Sequence, residues 1–219
     1  MHPSRAVGAL QSFLDFAYPQ KCALCNELGE GSLCNACAKE MPRHDSSIVR
    51  NVPTNALDWH FGIFHYEDRA KQAVTRLKFN RSTALAKPMS AILADRAREL
   101  GLETADVILP VPIHWRRYCH RGFNQALYLC QEFQKSKVRT DLLYRIRATR
   151  PQVGLTIEQR RINLKGAFWA SPDVANLDVL LVDDVFTSGG TAEECAKTLK
   201  RNGASSVGLL AFASGRDRD

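Results

Sequence analysis

The segment VLLVDDVFTSGGT, Val179 to Thr191, limits the possible folds more than any other stretch of this chain. It opens with four uninterrupted aliphatic residues, a run short enough for a strand and too unbroken for one with a solvated face. Such a strand belongs in a sheet covered on both sides, which is the habit of parallel strands joined by helices. Asp183 and Asp184 follow at its carboxyl end, where parallel sheets bind ligands. Thr187, Ser188, Gly189, Gly190 and Thr191 then open a helix over 192–202, with Ala192, Cys195, Ala196 and Leu199 on one face and Gly203 closing it. Hydroxyls, glycines and backbone N–H groups at the positive end of a helix can wrap one phosphate. Adjacent carboxylates can accept from vicinal hydroxyls or hold Mg²⁺ through water. An ordinary helix cap needs one hydroxyl and no carboxylate pair. The segment therefore reads as a site for a ribose 5-phosphate.

The rest of the chain supports an α/β class. Strands are expected over 60–66, 106–112, 142–146, 179–182 and 207–213. Helices are expected over 4–17, 83–100 (stopped by Gly101), 125–135 and 192–202, with another carrying Ala70, Ala73, Val74 and Leu77. This alternation implies a parallel sheet flanked by helices. Residues 43–57 are polar and contain Pro53, so they read as a linker. It divides a small module over 1–42 from a larger domain over 57–219.

The small module is defined by Cys22, Cys25, Cys34 and Cys37. Two CxxC pairs this close can form two knuckles and offer four thiolates in a tetrahedron, a closed structural Zn²⁺ site with no position left for a reacting water. Gly29 and Gly31 permit the short return between the pairs. Disulfides are the rival reading and would need an oxidising compartment. Nothing else in the sequence suggests one: no run of about 18 apolar residues spans a bilayer, and Asp15 and Lys21 interrupt the short N-terminal apolar stretch, unlike a signal peptide. A cytoplasmic location is expected. Cys119, Cys130 and Cys195 are scattered and read as buried small apolar residues or bystanders.

The chain's net charge of +7 is concentrated. Residues 112–166 hold twelve basic and three acidic side chains, a local balance of +9. That excess suits a polyanion, whether pyrophosphate, a nucleotide or nucleic acid.

VLLVDDVFTSGGT resembles the thirteen-residue phosphoribosyl pyrophosphate (PRPP) motif of type I phosphoribosyltransferases, with Ser188 at a position usually held by threonine. Pro110-Val-Pro112 with Arg121-Gly-Phe-Asn-Gln125, and Arg150-Pro-Gln152 followed by Arg160, Asn163 and Ala167-Phe168, are similar to the ComF/GntX signature, as is the four-cysteine N-terminus. The similarity runs from about Phe16 to Phe212. It implies a type I phosphoribosyltransferase-like parallel sheet behind a small N-terminal zinc ribbon. It also implies that Asp183 and Asp184 hold the ribose 2- and 3-hydroxyls and act in catalysis, that Thr187 to Thr191 hold the 5-phosphate, and that Mg²⁺ accompanies PRPP.

By position, Arg116, Arg117 and Arg121 match the family's pyrophosphate loop, and Arg150, Gln152 and Arg160 its hood, with Asn163 fixing that loop. These basic residues suit pyrophosphate and nucleic acid equally. The resemblance implies a part in DNA uptake and natural transformation, with phosphoribosyl transfer to an acceptor. The alternative is a non-catalytic PRPP or nucleotide sensor that binds single-stranded DNA and a competence helicase. Two readings of Lys78 stand, an approach to the same site and a solvated helix end. His114 and His120 are candidates for a catalytic base against a merely structural role.

Overall fold

The computed structural model describes residues 20–29, 31–44, 49–50, 56–79, 83–149 and 156–215. The expected helix over 4–17 lies outside them. The central sheet has five strands: β1 (Val49–Arg50), β2 (Trp59–His65), β3 (Val107–Pro110), β6 (Asp178–Phe186) and β7 (Ser206–Ser214). Their order is β1-β2-β7-β6-β3, parallel throughout except for β1 against β2. Strand β1 falls inside the expected linker, so that segment is partly sheet edge.

Alternation along the strands assigns each residue to a face. Leu180, Val182, Ile108, Leu210 and Phe212 point into one core. Val179, Leu181, Leu109, Val207 and Leu209 point into the other. With a period of two, an unbroken aliphatic strand fills both cores at once. The β2–β7 pairing depends on a glycine: a Cβ on Gly208 would fall inside the indole of Trp59.

The first core is closed by α2 (Asp68–Phe79), which buries Ala70, Ala73, Val74 and Leu77, and by α3 (Ala86–Glu99), which buries Met89, Leu93 and Ala97. Gly101 follows in the left-handed conformation (φ 67°) and ends that helical run. The cysteine module, including the short helix α1 (Asn35–Lys39), packs into the same core through Leu24, Met41 and three of its cysteines. Its exit strap lies along β2, where His44 N–H donates to Ile63 O (3.0 Å) and His65 N–H to Pro42 O (2.8 Å). The second core is closed by α7 (Gly190–Arg201), which buries Ala192, Cys195, Ala196 and Leu199.

Several expected elements differ. The helix over 125–135 shrinks to α5 (Gln125–Tyr128) and gives way to turns. The buried Ser90 hydroxyl takes the Glu132 amide (2.9 Å), which a continuing helix would have sent to Tyr128 O. The segment over 142–146 contributes β4 (Leu143–Arg145), which lies outside the central sheet and pairs antiparallel with β5 (Phe168–Ala170). Between them, a stretch expected to be loop holds α6 (Ile157–Leu164). Strand β6 does not stop at Val182: Asp183 and Val185 stay in register with Ala211 and Ala213 of β7.

Candidate functional site

The four expected zinc ligands converge. The Sγ atoms of Cys22, Cys25, Cys34 and Cys37 all lie within 4.8 Å of one another, with Cys25 and Cys34 3.6 Å apart. No disulfide joins them, and a tetrahedron of thiolates about 2.3 Å from zinc requires sulfur spacings of this size. Backbone N–H groups of Leu24 and Cys34 point at Cys22 Sγ (3.4 Å each), and that of Cys37 at Cys34 Sγ (3.5 Å). Burial pushes the Cys22 thiol up, but the backbone N–H groups of Cys34, Cys25 and Leu24 outweigh it and bring its pKa down to about 6. The donor set fits structural zinc.

The second site is a cavity of about 650 Å³ at the carboxyl ends of the strands. Asp183, Asp184, Thr187, Ser188, Gly189, Gly190, Thr191, Arg116, Arg117 and Arg121 all line it. The alternation of β6 turns the two carboxylates to opposite faces of the sheet. Asp184, only 2% exposed, meets Lys78 of α2 across the first core, with Lys78 Nζ 2.5 Å from its Oδ2. Burial opposes charge on Lys78, yet Asp184 and Asp183 outweigh it and hold the amine above its usual pKa. Lys78 is thus part of the site rather than a solvated helix end. Asp183 turns toward the second core and accepts from Asp184 N–H (2.8 Å). Burial, the Asp184 charge and its hydrogen bond with Asp184 push its pKa well above the carboxylate range, against the pull of Lys78.

The glycine-rich loop passes from β6 into α7. Gly189 caps the helix in the left-handed conformation (φ 69°) and lies so close to Phe186 that a Cβ would sit 3.0 Å from the ring. Gly190, Thr191 and Ala192 of the first turn line the cavity, and the start of a helix is where an anion is favoured. Loop and helix start are pinned from behind: Leu164 of α6 packs against Gly190, and Glu194 accepts the Gly166 amide (2.6 Å).

Opposite this loop, α4 (Trp115–Arg121) follows β3. His114 is buried and caps α4, its Nδ1 accepting from Arg116 N–H (3.2 Å). Burial, Arg145, Arg116 and Arg117 lower its pKa. Of the two readings of His114, the capping contact supports the structural one, while His120 is exposed on the cavity wall. The Arg121-Gly-Phe-Asn-Gln125 run has a local logic. Gly122 turns in the left-handed region (φ 86°), and Phe123 anchors in the core. Asn124 caps α5 and ties it to Val111 O (3.2 Å), while Gln125 holds the Arg121 guanidinium (2.6 Å).

Arg150 and Gln152 lie outside the described residues. Arg160 is placed only by its backbone, in α6. Sequence reading missed Arg145 as a site residue: it lines the cavity from β4 although it is only 8% exposed. Its signal was faint, one basic residue in a segment crowded with them. Phe79 and Tyr66 were also missed, and Phe79 lies under the Arg121 guanidinium (5.6 Å to the ring centroid). Of the scattered cysteines, Cys130 and Cys195 are buried and Cys119 is exposed. Among the described residues no helix is long and apolar enough to cross a membrane.

Comparison with known proteins assigns the two parts. A double zinc ribbon family matches residues 13–48, and the phosphoribosyl transferase domain family matches residues 122–219. DNA utilization protein YhgH of Escherichia coli O157:H7 is 31% identical over 215 residues, covering 86% of this chain and 94% of that protein. The Salmonella typhimurium protein of the same name is 38% identical over 214 residues, with the same coverage. Competence protein F of Haemophilus influenzae is 28% identical over 190 residues, or 82% of this chain and 77% of that protein. Among solved structures, the allosteric regulatory enzyme of purine biosynthesis matches with a TM-score of 0.37 at 19% identity, over 57% of this chain and 26% of that chain. With full-length relatives at 31% and 38% identity, the chain belongs to the ComF/GntX family, with a phosphoribosyltransferase domain and an N-terminal zinc ribbon.

Proposed function

We propose that the cavity binds PRPP or a related phosphoribosyl nucleotide together with Mg²⁺, and that the protein uses this site in DNA uptake and natural transformation. One observation carries the ligand: a carboxylate pair, a glycine-rich helix start and three arginines face one cavity of about 650 Å³. Asp183 and Asp184 receive the ribose hydroxyls, Thr187 to Thr191 the 5-phosphate, and Arg116, Arg117 and Arg121 the pyrophosphate, with Arg150, Gln152 and Arg160 completing the cover. The acidic pair suits Mg²⁺, which when bound would neutralise pyrophosphate charge. The biological setting is supported by relatives named for DNA utilization and competence. The division into a zinc module over 1–42 and a ligand-binding domain over 57–219 follows the same reading, as does a cytoplasmic location.

The reaction favoured is phosphoribosyl transfer. An acceptor nitrogen gives its electron pair to C1 of the ribose while the C1–oxygen bond breaks, its pair leaving on pyrophosphate. Guanidinium forks are matched to phosphate oxygens and stabilise that departing charge. Calorimetry with PRPP and Mg²⁺ tests the pocket: Asp183→Ala with Asp184→Ala is expected to abolish binding, and equal affinity in the double variant sinks the assignment. Incubation with PRPP, Mg²⁺ and a panel of bases and amines tests transfer, through acceptor-dependent release of pyrophosphate.

A second reading is a nucleotide sensor that binds single-stranded DNA and a helicase partner. It is favoured by α4, where Trp115 and Tyr118 are 62% and 51% exposed and the Arg116 guanidinium stacks 5.5 Å over the Trp115 ring. Aromatic faces interleaved with arginine suit unpaired bases. Salt-sensitive binding that persists without acceptor-dependent turnover supports this reading over the first.

A further inference from the structure

Resting on the phosphoribosyl reading of the cavity, we propose that Arg145 is a built-in anion-binding residue of this site and that the anion it takes is the pyrophosphate group. Arg145 is at the end of β4, in the small sheet outside the main one, and its side chain reaches the cavity wall. It is more than nine-tenths buried, yet its Nε has no hydrogen-bond partner among the described residues. One of its amino groups, Nη2, donates to Thr149 Oγ1 (2.5 Å), and its guanidinium carbon lies 5.4 Å from the Phe168 ring centroid. These contacts fix the plane of the fork without using up its donors. A guanidinium has five N–H donors and is buried only when an anion or acceptor answers it.

The surroundings do not supply that answer. The carboxylate on this side, Asp183, attracts the guanidinium, but burial and the Arg117 charge outweigh it. The charged groups facing Arg145 otherwise include Arg117 from α4 and Arg147 from its own segment, both of like sign. Burial and the Arg117 charge bring the Arg145 guanidinium down to about 10, a cation held where cations are disfavoured. An anion carrying several charges, set between α4 and β4, relieves both the missing hydrogen bond and the repulsion. The phosphoribosyl reading already gives the 5-phosphate its place at the start of α7. Pyrophosphate is the phosphate group left for Arg145 and Arg117 to share.

The test measures inorganic pyrophosphate and ribose 5-phosphate separately by calorimetry, on the full chain and on Arg145→Met and Arg145→Lys. Loss of a charge-assisted fork is expected to weaken pyrophosphate by about 10- to 100-fold while leaving ribose 5-phosphate unchanged. Thermal unfolding of ligand-free Arg145→Met supplies a readout that separates a ligand-binding role from a structural one. A structural arginine would lower Tm on removal, whereas removal of an unanswered buried cation is expected to keep or raise it. Should the Met variant not fold, Arg145→Lys decides, since an ammonium keeps the charge and loses the fork, and its pyrophosphate affinity is expected to fall as well. Pyrophosphate affinity in the folded variants within twofold of wild type overturns the proposal. So does a wild-type protein that binds ribose 5-phosphate and not pyrophosphate, which leaves the phosphoribosyl reading standing. A wild-type protein that binds neither removes that reading and this inference together.

Discussion

The four-cysteine cluster and the strand-end cavity are both gatherings of ionisable groups, and they are built in opposite ways. Around the cysteines, backbone amides already point at the sulfurs and three of the four side chains are buried in the core. Everything there serves a group held inside the protein. In the cavity, Asp183 is half-buried beside a second carboxylate, and Arg145 keeps an unanswered donor. Its groups are poorly satisfied by one another. A site complete in itself holds structure, whereas a site with unmet charges is poised for a ligand.

The sharpest way to break this contrast is to remove the zinc. Chelation, or Cys34→Ser, is expected to lower Tm by about 10 °C or more. A loss of about 4 kcal/mol, well below the zinc contribution in small fingers, is enough for that in a domain this size. The module shares its core with α2 and α3, so the effect should reach the whole fold and not the ribbon alone. A metal assay finding near one equivalent per chain, together with the drop on chelation, supports the closed centre. An unchanged Tm in a zinc-free protein would place the cysteines outside the stability of the fold.

Next in size is Lys78→Met. It leaves Asp184 as a buried carboxylate without its cation, a defect of about 3–5 kcal/mol. Millimolar Mg²⁺ is expected to restore part of the lost Tm in this variant and to leave the ligand-free wild type almost unchanged, because only the variant has an open cation position. Thermal scans with and without Mg²⁺ read this directly. No rescue by Mg²⁺ would show that the acidic pair cannot exchange its lysine for a metal.

The contrast also explains what could be read from sequence. Cys22, Cys25, Cys34 and Cys37 are close in the chain, so their spacing already encodes their geometry. The same holds for Asp183 through Thr191, where strand, turn and helix start are consecutive. The parallel sheet followed from the alternation of strands with helices. What stayed hidden was tertiary. Arg145 enters the cavity from a two-stranded sheet formed with residues 168–170, a pairing no local pattern announces. Lys78 was visible as a helix-end lysine, but its partner is more than a hundred residues away. The helix at 125 was overextended because its apolar spacing continues to Phe133, while Ser90, on another helix, ends it. The aspartates were placed beyond the strand because charge rarely stays in a buried ladder; here Lys78 makes it tolerable for Asp184.

The smallest effect tests the unsatisfied side of the contrast most directly. In the unfolded chain Asp183 gives up its proton near pH 4; in the folded protein burial and the Asp184 charge hold that proton to higher pH. Through the window between the two values, the folded state keeps a proton that the unfolded state has released, so stability falls as pH rises. Asparagine has no proton to release and is close in shape. Asp183→Asn is therefore expected to raise the Tm of the ligand-free protein at pH 8, with the gain shrinking as pH falls toward 5. A relief of about 1 kcal/mol corresponds to about 2–4 °C in a domain of this size. The gain must come with weaker PRPP binding, since the carboxylate that strains the empty cavity is the one proposed to meet the ribose. A gain over wild type no larger at pH 8 than at pH 5 would mean that Asp183 is satisfied without a ligand, and the difference between the two sites would then rest on Arg145 alone.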